Sequence, residues 1–135
     1  LSCTAYNMID ESGQILKPIT PPHRITFDTM LRTNYIACST AVVARDVIGE
    51  QTFRDMKWED YVFWLETLGK CKIAVGIDRI LMQYRVRRNA YSANKFRNLG
   101  YQWKVYRDFL KFSPGRAAYF MFHYILNGIY KHYMP

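Results

Sequence analysis

The chain has 135 residues, 50% of them hydrophobic and 16% aromatic, which excludes a disordered chain and amounts to one domain or less with enough apolar surface to bury a core. Its three cysteines, Cys3, Cys38 and Cys71, are odd in number and far apart, so they read as buried thiols in a reducing cytoplasm rather than as a disulfide framework or a metal site. The formal net charge of +8 is unevenly placed: residues 1–78 hold 8 Lys/Arg against 10 Asp/Glu, whereas residues 79–135 hold 11 against 1.

Leu1 is not an initiator methionine and no charged and apolar leader opens the chain, so the sequence reads as a piece of something longer. The turn signal Asp10-Glu11-Ser12-Gly13 separates strand patterns at 3–9 and 14–19, which predicts a hairpin, and Pro18, Pro21 and Pro22 then predict an extended loop. A short helix follows over 26–33, with Thr26 as N-cap, Asp28 in the first turn and Asn34 at the exit. The apolar run 37–44, rich in small and β-branched residues, predicts a buried strand that delivers Ser39 and Thr40 close to the start of the next helix.

That helix is predicted over 58–69, because Trp58, Tyr61, Val62, Leu65 and Leu68 recur at the spacing of one apolar stripe. Glu59 and Asp60 then lie in its first turn, where unpaired N–H groups and the helix dipole favour anions; from spacing alone, helix stability accounts for them better than catalysis does. Two strands are predicted at 72–75 and 79–86 around Gly76-Ile77-Asp78. Two aromatic helices follow, over 92–112 and 116–131, broken at Ser113-Pro114-Gly115. On the first, Phe96, Leu99, Trp103, Tyr106 and Leu110 form an apolar stripe; the second is apolar nearly all round, with Tyr119, Phe120, Phe122, Tyr124, Tyr130 and Tyr133. The longest apolar stretch, 117–130, is interrupted by His123 and Asn127-Gly128 and is too short to span a bilayer.

Several segments together carry a resemblance: Asn34-Tyr35-Ile36-Ala37-Cys38-Ser39-Thr40, Glu59-Asp60-Tyr61-Val62-Phe63-Trp64-Leu65, then Tyr84-Arg85-Val86-Arg87-Arg88-Asn89 and Tyr101-Gln102-Trp103-Lys104. In this order they resemble the C-terminal half of a bacterial family 2 glycosyltransferase, of the kind that builds cell-surface polysaccharide. The resemblance implies an α/β fold: a partial GT-A domain, the C-terminal half of its mixed sheet followed by two aromatic-rich helices. It divides the chain into an acceptor-side part at 1–90 and a helical extension at 91–135.

Inverting transfer needs a base to take the acceptor's proton and positive groups to hold the departing diphosphate. The resemblance gives the first role to Asp60, with Glu59 orienting it or the acceptor, a contribution of roughly 10²- to 10⁴-fold in rate. Arg85, Arg88 and Lys95 are the candidate diphosphate ligands, since guanidinium and ammonium groups can neutralise developing phosphate charge; a charged, solubilising strand edge is the competing reading of that stretch. Asn34, Ser39, Thr40 and Trp58 fall where the family lines its acceptor and sugar pocket, although a buried Thr40 is more often a strand residue with its hydroxyl bonded to backbone.

The expected partners are a nucleotide-sugar donor, a polysaccharide or lipid-linked acceptor and an inner-membrane surface, at the cytoplasmic face of that membrane, with no nucleic acid. A divalent metal, Mg or Mn, is expected through a D-x-D motif that this sequence does not contain, and the donor-binding half is expected upstream of Leu1. Between Arg79 and Arg107 eight basic residues stand among aromatics with no acid, so a small module binding nucleic acid or another anion is the alternative, and a non-catalytic fragment a third.

Overall fold

The computed structural model describes residues 1–87 and 95–133. Strand β1 (Ser2–Ile9) lies at the centre of a mixed sheet; β2 (Ile15–Ile19), β3 (Arg24–Thr26), β4 (Ala41–Val42) and β5 (Ile73–Arg85) complete it. The order is β2-β1-β5-β3, with β4 paired to the start of β1. β1 and β5 run parallel, while β2 pairs with β1, and β3 with β5, in the antiparallel sense.

Cys3, Ala5 and Ile9 of β1 are buried, as expected of a strand with one face on a core. The predicted hairpin forms, held by Asp10: its Oδ1 accepts from Ser12 N at 2.9 Å, Ser12 Oγ at 2.6 Å and Gln14 N at 2.9 Å, the local bonding that makes Asp a turn residue. Pro18 sits in edge strand β2, where a missing N–H is tolerated.

Helix α1 (Phe27–Arg32) has the predicted N-cap. Thr26 Oγ1 accepts from Thr29 N and Thr29 Oγ1 accepts from Thr26 N, a reciprocal capping box. Helix α2 (Arg45–Ile48) is a single turn, and α3 (Glu59–Cys71) is the central core helix. α4 (Lys95–Lys104) continues into a π turn (Val105–Phe109), and α5 (Pro114–Tyr133) begins on the proline of the predicted break, a position where the missing N–H costs nothing.

Three expectations need correction. Residues 37–44 are not a buried strand: they form a 3-10 turn (Cys38–Thr40) and the two-residue β4, with Val42 68% exposed. β5 takes one edge of β1 and β2 takes Tyr6–Ile9 on the other, so this run pairs only at Ser2↔Val42 and Cys3↔Ala41. The strands predicted at 72–75 and 79–86 are one strand, β5. Its register against β1 jumps from Thr4↔Ile77 to Ala5↔Ile80 to Tyr6↔Met82, so the surplus residues are absorbed as bulges rather than as a turn. The predicted stripe over 92–112 holds only at its end: Tyr106 is buried and Leu110 packs on the core, but Phe96 is 89% exposed and Trp103 38%, while Gln102 and Val105 are buried. The buried amide of Gln102 bonds to Tyr61 Oη, which sets the inward side of α4.

One core joins all of these elements. Tyr61, Val62, Leu65 and Leu68 of α3 share one buried cluster with Ile25, Met30, Leu31 and Ile36 and with Val105, Tyr106, Phe112, Ala117 and Phe120. The segments expected as acceptor-side part and helical extension therefore share a single buried cluster.

Polar bonds converge on the exit of α1, whose last carbonyls have no partners within a six-residue helix. Tyr61 Oη donates to Met30 O at 2.8 Å, Tyr106 Oη donates to Leu31 O, and Asn127 Nδ2 donates to Arg32 O at 3.2 Å. Three separate elements thus close one helix end. Tyr61 Oη also accepts from Gln102 Nε2 at 3.2 Å. Tyr61→Phe removes one donor and one acceptor from this buried set, and we expect it to lower stability by about 1–3 kcal/mol in urea unfolding, the cost of unpaired buried polar groups; a change below about 0.5 kcal/mol would mean that the network is not a stabilising closure.

Candidate functional site

The closed end of α1 sets the next segment. Asn34 Oδ1 accepts from Ile36 N at 3.0 Å and so turns the chain, while fully buried Ile36 anchors it to the core. Ala37 then enters the 3-10 turn, where Thr40 N and Thr40 Oγ1 both donate to Ala37 O, at 2.9 and 2.8 Å. Opposite this loop the first turn of α3 presents Asp60. Trp58, its N-cap, is held at φ 64, ψ 33 in the left-handed region and makes no side-chain cap bond. A bulky residue rarely adopts that conformation; such strain is tolerated where neighbouring structure fixes it, often beside functional groups.

These pieces enclose a cavity of about 260 Å³ lined by Tyr6, Asn34, Tyr35, Ile36, Ala37, Cys38, Ser39, Asp60, Met82 and Tyr84. Three of the residues singled out from sequence, Asn34, Ser39 and Asp60, come together here from two separate segments. Burial pushes the Asp60 carboxyl above the ordinary carboxylate range; the Tyr61 N–H, which donates to Asp60 Oδ1 at 2.7 Å, pulls it down, and the Glu59 charge pushes it further up. Desolvation therefore outweighs the helix N-terminus at this carboxyl.

The other candidates are placed as follows. Glu59 is exposed beside the cavity; the Cys38 thiol is pushed up by partial desolvation and further by the charges of Asp60 and Glu59. Cys38 is an exposed free thiol on the cavity wall, and Cys71 is half-buried, so only Cys3 fits the expectation of buried thiols. Trp58 packs edge-on against Tyr61, with centroids 6.4 Å apart, and contributes to the core rather than to the cavity lining. Thr40 is buried with its hydroxyl bonded to backbone. Arg85, at the end of β5, donates through Nη1 to Asp10 O at 3.0 Å and Glu11 O at 2.9 Å, so it ties β5 to the hairpin turn. Arg88 and the side chain of Lys95 lie outside the described residues.

Sequence reasoning missed Tyr6, Met82 and Tyr84 as cavity walls. The parallel register sets Tyr6 opposite Met82 and Met8 opposite Tyr84, and the Tyr6 and Tyr84 rings stand 6.0 Å apart. Their partners in the cavity are far away in sequence, so no local pattern marks them. Among the described residues no group of three or more His, Cys, Asp or Glu is arranged to hold a metal.

The chain is 33% identical over 128 residues, 94% of its length, to the UDP-Glc:alpha-D-GlcNAc-diphosphoundecaprenol beta-1,3-glucosyltransferase WfgD of Escherichia coli. The chain is homologous to bacterial glycosyltransferases. It is also 31% identical over 124 residues to WfaP, a UDP-Glc:alpha-D-GlcNAc-diphosphoundecaprenol beta-1,3-glucosyltransferase of the same organism. A third relative, the putative teichuronic acid biosynthesis glycosyltransferase TuaG of Bacillus subtilis, is 29% identical over 132 residues. The chain spans about half the length of these relatives: 50% of WfgD, 49% of WfaP and 52% of TuaG. No protein-family model matches it, and no solved structure matches it. The mixed α/β architecture agrees with the partial GT-A domain implied by the sequence resemblance.

Proposed function

We propose that this chain is the acceptor-side half of an inverting glycosyltransferase of the family 2 type, which moves a sugar from a nucleotide-diphospho-sugar to a lipid-linked sugar acceptor. The observation that carries the reading is Asp60: a carboxyl raised by burial, opening a helix on a cavity shared with Asn34 and Ser39, in a chain whose relatives WfgD and WfaP are named for such transfers.

An acceptor hydroxyl in the cavity donates to the Asp60 carboxylate, which takes its proton as the oxygen attacks the anomeric carbon; the glycosidic bond to the diphosphate breaks as the new one forms. Asn34 and Ser39 can hold the acceptor's neighbouring hydroxyls without filling the space. The departing diphosphate gains charge, and the basic segment containing Arg85, Arg88 and Lys95 supplies the compensating field. The nucleoside part of the donor and any divalent metal are left to residues other than these, and no step here is routed through a metal.

The test is the pH dependence of transfer by the complete polypeptide, using UDP-glucose and an N-acetylglucosaminyl diphosphate carrying a short alkyl chain. A raised Asp60 pKa places the acid limb of kcat/KM above the usual carboxylate range, with activity lost as pH falls through it. A rate that stays flat down to about pH 4, the ordinary carboxylate range, would remove Asp60 as the base.

A further inference from the structure

The residues lining the Asp60 cavity are of two kinds. Asp60, Asn34 and Ser39 are polar and come from α3 and the loop after α1, whereas Tyr6, Met82 and Tyr84 come from the sheet. Tyr6 stands opposite Met82 in the parallel register, and alternation along β5 puts Tyr84 on the same face as Met82. The three thus form one apolar surface near the C-terminal ends of two parallel strands, the end of an α/β sheet at which ligands bind.

Core packing does not account for the two rings. Neither Tyr6 nor Tyr84 belongs to the buried cluster, and Tyr84 is 45% exposed. Their centroids stand 6.0 Å apart with the planes tilted by 56°, a contact between the rings themselves, so a ligand lies across the pair rather than between its members. Burial, and next Tyr84, push the Tyr6 phenol up, which keeps that ring neutral.

The cavity, at about 260 Å³, is smaller than the roughly 300–1,000 Å³ that encloses a drug-sized ligand, so it suits one sugar ring rather than a whole nucleotide sugar. A hexopyranose with equatorial hydroxyls has both surfaces that the lining asks for. Its rim donates and accepts hydrogen bonds, and its axial C–H bonds make a flat face whose hydrogens complement the negative face of an aromatic ring. An axial hydroxyl on that face would be pressed against the rings without a hydrogen-bond partner.

We infer that Tyr6, Met82 and Tyr84 form the seat of the acceptor's sugar, a hexopyranose whose C–H face lies across the rings while its hydroxyl rim meets Asp60, Asn34 and Ser39. The inference rests on the transferase reading and deepens it: the seat fixes the plane of the acceptor, and so decides which hydroxyl reaches the Asp60 carboxylate. Tyr6 and Tyr84 act on acceptor binding and take no part in the proton transfer.

The experiment is saturation-transfer NMR on the complete polypeptide with N-acetylglucosaminyl diphosphate carrying a short alkyl chain and no UDP-glucose, so that no turnover is needed. Saturating the aromatic protons should mark the axial protons of one face of the sugar above those of the other, and Tyr84→Ala should abolish the difference. In transfer assays the same variant should raise the acceptor KM about tenfold, the scale of one stacked ring, and leave the UDP-glucose KM and the position of the acid limb where they were. Tyr84→Phe keeps the ring and should restore the acceptor KM. Tyr84→Leu, apolar without a flat ring, serves if the alanine variant does not fold. Equal marking of both sugar faces, an unchanged acceptor KM without the ring, or a rise in the UDP-glucose KM alone, which would seat the donor there, would overturn the inference. A pH profile without an acid limb, with one sugar face still marked, would remove Asp60 as the base and leave the seat standing, so the two failures are distinguishable.

Discussion

Asp60→Asn is expected to lower transfer by the complete polypeptide about 10²- to 10⁴-fold, the contribution of a positioned base, while leaving the fold intact. The substitution keeps the shape of the side chain and an oxygen able to accept from Tyr61 N. Its effect on stability has a definite sign. The folded carboxyl has a raised pKa, so the native state favours the protonated form; the associated stability is present below the unfolded pKa and is lost as pH rises through the folded one. At neutral pH the buried charge is a cost that Asn does not carry, so Asp60→Asn should melt at the same temperature or slightly higher. A variant that loses activity and also melts much lower would show Asp60 to be structural. One that keeps both would leave the cavity without its base.

Gly76→Ala is expected to destabilise the protein by about 3 kcal/mol, the upper end of overpacking costs, as read by urea unfolding. Gly76 sits inside β5, and a Cβ built there would lie 2.2 Å from Pro22 O, 2.9 Å from Pro22 C and 3.1 Å from Pro21 Cβ. The nearest of these atoms belong to backbone, fixed by neighbours: Gly76 N donates to His23 O at 3.0 Å, and β3 begins at Arg24. Relief would require β3 to pull away from β5. Gly69, in α3, supplies the contrast, because a Cβ there meets nothing within 4 Å; Gly69→Ala should stabilise by up to about 1 kcal/mol through helix propensity. If both substitutions behave alike, the close approach of the Pro21-Pro22 loop to β5 is not a constraint on the fold.

The sequence by itself determined what local chemistry determines. The Asp10-Gly13 turn, the Thr26 cap, the apolar stripe after Trp58 and the break at Pro114 are each set by residues within a few positions of one another, and each appears where it was expected. The resemblance marked Asn34, Ser39 and Asp60, and the fold places all three on one cavity. Tertiary structure decided the rest. Residues 37–44 carry a strand pattern, but β5 fills one edge of β1 and β2 most of the other, which leaves this run only the start of β1 to pair with. Gly76-Ile77-Asp78 looks like a turn, yet bulges against β1 let β5 run straight through it. Arg85 has the charge of a phosphate ligand, but in the folded chain it reaches the carbonyls of a hairpin turn 75 residues away in sequence. Tyr6 and Tyr84 become cavity walls only because parallel pairing lays β1 beside β5, a non-local register that no short-range periodicity encodes.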